Sequence, residues 1–244
     1  MNSPLPGDYI DIHTHDSRPV PGVFAVENIM AHENRDPGAI NARVFTAGIH
    51  PWYLDENNSS SLLAYIRGIA SSPDLIAFGE AGFDKLRGPS HEIQLAAFAE
   101  QVKIAGEFGK PLVIHCVKAW NELQEAHRDL KPGTPWLVHG FRGKKELALQ
   151  LIRRGMYISF WFDFVVRPES SGLVKSIPPE RIFLETDGAD ADIRDIYSKV
   201  SADLGLGVDK LKEQISENYR ELFSDIPAPS YANGVEAGDF SGGP

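Results

Sequence analysis

The sequence predicts an α/β protein, a (β/α)8 TIM barrel whose first crossover helix is replaced by a loop. Three observations lead there. Short apolar runs recur along the chain with helical stretches between most of them, the alternation expected of a parallel sheet. The runs number eight, enough to close a barrel. The chain has 244 residues, and one such barrel uses about 250.

The predicted strands are Tyr9–His13, Val23–Asn28, Arg43–Ile49, Leu75–Glu80, Pro111–Cys116, Trp136–His139, Met156–Trp161 and Ile182–Asp187. Several are almost wholly apolar, as strands buried between a core and an outer layer of helices must be. Between the first two strands the segment is short and contains Pro19 and Pro21, so no full crossover helix fits. Ser90 is placed to cap a helix with Glu92 in its first turn, running to Gly109 before Pro111 opens the next strand. Ile93, Ala97 and Ile104 give that helix a packed face. The final helix, Asp209 to Phe223, repeats Leu211, Ile215, Tyr219 and Leu222 at helical spacing. Past it the chain is rich in Pro, Gly, Ser and Ala without periodicity, which predicts one barrel over 1–224 and a disordered tail over 225–244. A Rossmann or flavodoxin-like sheet is the competing architecture. It would have five or six strands and a Gly-rich first turn, whereas here the first turn is His13-Thr14-His15.

Lys plus Arg total 24 against 34 Asp plus Glu, a net charge of −10. That balance favours solubility and argues against broad, non-specific nucleic-acid binding, while leaving room for a local basic rim. Cys116 is the only cysteine, so no intramolecular disulfide forms and a reducing compartment suits the chain. The opening residues show no leader pattern and no run is long enough to span a bilayer, so the expected location is cytoplasmic, away from membranes.

The chemistry lies where the apolar runs end: His13 and His15 after YIDI, Glu80 after LIAFG, His115 in LVIHC, His139 in WLVHG and Asp187 in IFLETD. Active sites of these barrels lie at the carboxyl ends of the strands. Residues two apart on a strand point the same way, so His13 and His15 can reach one metal together. A carboxylate that closes an apolar run, as Glu80 does, must be paired or hold a cation. His115 or His139 alone would read as a satisfied core histidine; two at matching strand ends read otherwise. Four imidazoles and two carboxylates at one end of a barrel suit one or two divalent metal ions that activate water. Asp187 is placed to hold a metal and to take a proton from the attacking water.

These residues carry a resemblance to the TatD family of metal-dependent hydrolases, within the amidohydrolase-like barrel superfamily. It rests on D-x-H-x-H at Asp11–His15, G-I-H-P at Gly48–Pro51, G-E-x-G-x-D at Gly79–Asp84, and Gln94, Phe98 and Gln101 in Q-x3-F-x2-Q. It continues through I-H at Ile114–His115, H-x-F-x-G at His139–Gly143, E-T-D at Glu185–Asp187, and Asn218 and Phe223. The resemblance implies that His13, His15, Glu80 and Asp187 hold one metal and that Glu80, His115 and His139 hold a second, Glu80 bridging them. Zn or Mn suits this donor set, with Mg as an alternative. It also implies catalytic roles for Glu80, Asp187 and His50, the last through substrate contact or proton transfer. Asp84 is expected either to orient a ligand imidazole or to cap its loop. The implied activity is that of a deoxyribonuclease acting on single-stranded or nicked DNA, with no obligate protein partner evident. Lys85, Arg87, Lys118, Arg142, Lys144 and Lys145 are candidates for a basic rim. Two departures bear on the substrate. Val117 stands where the family has a basic residue, and Gly188–Asp192 places two acidic residues, Asp190 and Asp192, after the E-T-D motif. The alternatives are a small-molecule or aminoacyl ester or amide hydrolase on the same metals, and a non-catalytic metal-binding barrel.

Overall fold

Eight parallel strands pair in chain order into one sheet: β1 (Tyr9–Thr14), β2 (Val23–Met30), β3 (Val44–Gly48), β4 (Leu75–Asp84), β5 (Leu112–Val117), β6 (Trp136–Val138), β7 (Tyr157–Trp161) and β8 (Ile182–Glu185). The computed structural model describes residues 3–223, so the predicted tail over 225–244 lies outside the described residues. The helices are α1 (Ser59–Ile69), α2 (His91–Phe108), α3 (Trp120–Leu130), α4 (Lys145–Arg153), α5 (Phe162–Val165), α6 (Ser170–Val174), α7 (Ile193–Leu204) and α8 (Val208–Leu222). Among the described residues no helix is long and apolar enough to cross a membrane.

A loop replaces the first crossover helix, as expected. The second crossover also lacks an α-helix, which the sequence reading did not anticipate. It holds only single 3-10 turns at Ala31–Glu33 and Pro37–Ala39. Pro37 follows Asp36, whose carboxylate accepts from the Gly38 amide at 2.9 Å, a local bond that competes with helix formation. The C-terminal helices cover the strands thus left bare. On α7 the Tyr197 hydroxyl lies 3.1 Å from both the amide and the carbonyl of Ile10, and on α8 the Tyr219 ring packs edge-on against Phe24 at 5.4 Å.

The two helix-free crossovers are tied together by a buried carboxylate. Glu27 on β2 accepts from Arg35 Nη2 at 2.9 Å and from the Ser17 hydroxyl at 2.6 Å. Removing one partner of a buried ion pair strands the other charge. Arg35→Ala is therefore expected to cost about 3 kcal/mol, read as a lower urea midpoint at unchanged slope. A loss no larger than that of the exposed control Arg128→Ala would show that Glu27 does not depend on this partner.

Two other expectations are corrected. Ser90 occupies the N-cap of α2, but its side chain makes no cap hydrogen bond. Strand β4 does not stop at Glu80: its pairing with β5 shifts between Phe78 and Ala81 and then continues to Asp84. Gly79, at φ +119°, makes the shift possible. A Cβ there would lie 2.2 Å from the Val113 carbonyl oxygen, and a Cβ at Gly48 would lie 2.4 Å from the Gly79 Cα. Only glycines let these backbones approach so closely, and the kink sets Glu80 inside the barrel mouth.

The ladder does not run from β8 to β1. That seam is closed by the Asp11 carboxylate, which accepts from the Thr186 amide at 3.0 Å and its hydroxyl at 2.6 Å. One backbone bond joins it, from the Asp187 amide to the His13 carbonyl at 3.1 Å.

Candidate metal centre

Every residue predicted for the site lies at the carboxyl end of the barrel, around a cavity of about 670 Å³ lined by His15, His50, Glu80, His115, His139 and Asp187. His13 lies beneath it, fully buried. Each position follows from its strand. His13 is within β1 and His15 just past it, on the same side, their rings edge to face at 5.1 Å. His115 is on β5, His139 follows β6, and Asp187 follows β8 with φ +53°, a left-handed conformation that Asp tolerates better than most residues.

Glu80 is the centre of the cluster. Its Oε1 lies 2.6 Å from His115 Nδ1, 2.6 Å from His139 Nε2 and 3.2 Å from His50 Nε2, and its Oε2 lies 3.6 Å from His13 Nε2. Asp187 Oδ1 lies 3.7 Å from His13 Nε2 and 3.6 Å from His15 Nε2. Three donor groups result, each with ligand atoms within 4.8 Å of one another: His13, His15 and Asp187; His13, Glu80 and His139; His50, Glu80 and His115. Glu80 belongs to two of them, as a bridging ligand must.

Contacts beyond these groups fix which imidazole nitrogens carry lone pairs. His115 Nε2 faces Asp84 Oδ2 at 3.3 Å; as the donor of that bond it leaves Nδ1 as a lone pair against Glu80. His139 Nδ1 makes no hydrogen bond among the described residues but lies 3.4 Å from Glu185 Oε1; a proton on Nδ1 facing that carboxylate leaves Nε2 as a lone pair towards Glu80. Two lone pairs and a carboxylate oxygen at 2.6 Å repel unless a positive charge lies among them. His13 points to the same conclusion: both of its ring nitrogens are buried without a hydrogen-bond partner among the described residues. Such orphaned atoms are costly, and a cation beside Nε2 relieves one of them. The residues present fit a metal.

His50 is different. It caps the 3-10 turn Pro51–Tyr53, and its Nδ1 accepts from the Trp52 amide at 3.1 Å. The proton is then on Nε2, which points at Glu80 and at His115 Nδ1, 3.2 Å away. A nitrogen carrying its proton donates and does not ligate, so this tautomer favours a donor role for His50 over a ligand role. Burial lowers its pKa despite the neighbouring Glu80, keeping the ring neutral.

Without a metal, protons supply the positive charge that this cluster calls for, and a metal displaces them on binding. Burial opposes ionisation of Glu80, but the neighbouring imidazoles of His139, His115 and His13 hold its carboxyl well below the usual range. Burial likewise opposes charging of His139, and the carboxylates of Glu80 and Glu185 override it. Asp187 is held low by His15, with His139 and His13 adding to the effect against burial, so it is ionised at neutral pH.

Asp84 makes the contacts that both of the roles weighed for it require. Oδ1 accepts from the Leu86 and Arg87 amides at 2.7 and 3.1 Å, while Oδ2 accepts from Trp52 Nε1 at 2.6 Å and faces His115. Asp84→Asn keeps the loop bonds and alters the contact with His115. Partners of this kind are worth roughly 10- to 100-fold in metal affinity or activity, and a loss in that range is expected by chelator competition and in kcat/KM. An unchanged affinity would reduce Asp84 to a loop cap.

Of the predicted basic rim, Lys85 is engaged by Glu122, Arg87 and Arg142 lie over tryptophan rings, and Lys144 and Lys145 begin α4. Lys118 lines the cavity. The acidic segment after Asp187 is less repulsive than its composition suggests. Asp192 caps α7, accepts from the Arg194 amide at 2.9 Å and pairs with the Arg194 guanidinium at 3.1 Å.

Sequence reasoning missed Glu185. It is fully buried on β8 and accepts from Ser159 Oγ at 2.5 Å and the Gly140 amide at 2.7 Å beside His139. Its signal was present: a carboxylate on an all-apolar strand requires partners. Trp52 and Trp161, both in the cavity wall, gave no comparable signal.

The family model for TatD related DNase matches residues 38–224 of this chain. The 3'-5' ssDNA/RNA exonuclease TatD of Cronobacter turicensis is 34% identical over 166 residues, 63% of this chain and 60% of that protein. That of Shigella flexneri is 34% identical over 64% of this chain and 62% of its own length. That of Erwinia amylovora is 32% identical over 73% of this chain and 77% of its own length. The chain thus spans less than two thirds of the first two of these relatives. Among solved structures, a TatD homolog from Escherichia coli K12 superposes with a TM-score of 0.75 at 19% identity, covering 91% of this chain and 100% of its own. A TatD family hydrolase from Entamoeba histolytica gives 0.73 at 19% identity, covering 91% and 99%. At that identity the structures share the fold.

Proposed function

The chain belongs to the TatD related DNase family, and from that premise we propose that it is a metal-dependent nuclease that hydrolyses phosphodiester bonds in single-stranded or nicked DNA. The active unit in this reading is the barrel, residues 1–224, working in a reducing cytoplasm. The observation that carries it is the convergence of His115 Nδ1 and His139 Nε2 on one oxygen of Glu80, both at 2.6 Å.

The sharing of Glu80 between donor groups supports two adjoining cation positions. His13, His15, Asp187 and Glu80 would hold one, and Glu80, His115 and His139 the other, with Zn or Mn the best match to imidazole-rich ligation and Mg the alternative. When bound, the ions supply charge neutralisation of the phosphate and a nucleophile from water at neutral pH. The chain's own residues do the rest. Asp187, ionised and facing the cavity, takes a proton from the attacking water. His50 presents Nε2–H to the same space, where it can hydrogen-bond a non-bridging phosphate oxygen or protonate the leaving one. Glu185 and Asp84 hold the rings of His139 and His115 so that their lone pairs face inward. The fully buried His13 closes the floor of the cavity.

The test is a side-by-side assay of chain stripped of metal and then loaded with Zn, Mn or Mg. The substrates are single-stranded DNA, RNA, nicked duplex DNA and a panel of small esters and amides. Metal-dependent cleavage of the single strand is the expected result. Turnover of an ester or amide with every DNA substrate untouched would overturn the nuclease reading in favour of a small-molecule hydrolase.

A further inference from the structure

Two tryptophan–arginine pairs stand on opposite sides of the cavity. Trp52, in the turn after β3, is 36% exposed, and the guanidinium of Arg87, from the loop after β4, lies 3.8 Å over its ring. Trp161 ends β7, and Arg142, from the loop after β6, lies 4.7 Å over that ring. In a closed ring of eight strands, β3 and β7 are four apart in either direction and so lie across the mouth from each other. Both tryptophans and Arg142 line the cavity that holds Glu80 and Asp187. The candidate metal cluster therefore lies between two flat, cation-topped aromatic faces.

A ring this large is normally spent on burial; here two half-covered indoles are held at the rim. Trp52 is fixed in place by its Nε1 bond to Asp84. A guanidinium lying on an indole offers its outer plane for a nucleobase to stack on and its edge N–H groups to the adjoining phosphate. A net charge of −10 gives a polyanionic strand little overall attraction, which gives the bases more of the task.

We propose that Trp52–Arg87 and Trp161–Arg142 are base-stacking platforms that grip the nucleotides on either side of the scissile phosphate, so that an unpaired strand lies across the barrel mouth. This rests on the nuclease reading above and names how that site grips its strand: by the faces of the bases flanking the scissile phosphate, with little regard to sequence, because every base has a stacking face. A paired base keeps its faces occupied by its neighbours and cannot use the platforms.

The test uses the full chain and two readouts. In EDTA, with hydrolysis off, anisotropy of a fluorescein-labelled short thymidine strand is compared with that of the same strand carrying abasic sites. Each lost stack is expected to weaken binding by roughly 5- to 150-fold. Trp52→Ala and Trp161→Ala should each remove one such step. Trp161→Phe and Trp52→Phe should restore most of the preference. Trp52→Phe also loses the bond to Asp84, so its recovery separates stacking from that bond. With metal restored, the alanine variants should raise KM far more than they lower kcat, since a stack is made equally before and in the transition state. Equal affinity of wild-type chain for base-bearing and abasic strands, with cleavage of both, overturns the platforms and leaves the nuclease reading standing. A retained base preference with no strand cleaved under any metal does the reverse.

Discussion

Glu80→Gln is expected to leave the chain folded, largely metal-free after dialysis, and slower in hydrolysis by more than about 10³-fold. The substitution is nearly isosteric, so the packing around β4 survives. What it removes is the negative charge on a carboxylate whose Oε1 has three imidazole nitrogens within 3.2 Å. An amide is a weaker ligand and carries no charge to balance two cations. The imidazoles that hold the Glu80 carboxyl low also make it a stabilising group in the metal-free fold, so the metal-free variant should melt somewhat below metal-free wild type, still in one cooperative transition. That comparison separates loss of function from loss of fold. Elemental analysis of metal per chain together with initial rates decides the matter: full metal content and full rate in Glu80→Gln would sink the bridging role.

Asp187→Asn should act differently. Asp187 belongs to one donor group only, with His13 and His15, and the two groups that share Glu80 remain whole. Metal content should fall by part rather than wholly, while kcat drops about 10²- to 10⁴-fold, the range for a lost general base. KM for a short strand should change little. A variant that loses KM and keeps kcat would move Asp187 from proton transfer to substrate contact.

Much of this was legible in the residues because parallel barrels impose a simple grammar. A strand buried on both faces must be apolar, so a histidine or carboxylate at its end stands out, and all eight strands and six ligand-type residues show themselves that way. Features that depend on approach in space were not legible. The continuation of β4 past Glu80 requires Gly79 and Gly82 to pass within contact of β5, which strand propensity does not reveal. The absent second crossover helix reflects coverage of β1 and β2 by α7 and α8, from the far end of the chain. The donor role of His50 hangs on a single bond from the Trp52 amide, and the two tryptophans acquire meaning only once β3 and β7 face each other.

The seam between β8 and β1 gives the barrel a thermodynamic property as well as a shape. Everywhere else the circumference is laced by ladder hydrogen bonds; there it depends on the Asp11–Thr186 contacts and the bond from Asp187 to His13. His13, His15 and Asp187 lie on opposite banks of this gap, so a cation shared by them joins the first strand to the last. Its binding energy then becomes closure energy by mass action, about 2.7 kcal/mol at a hundredfold excess over Kd. The slow-exchanging core should therefore extend across the seam in metal-loaded protein, and the Thr186 and Asp187 amides should exchange faster once the metal is withdrawn.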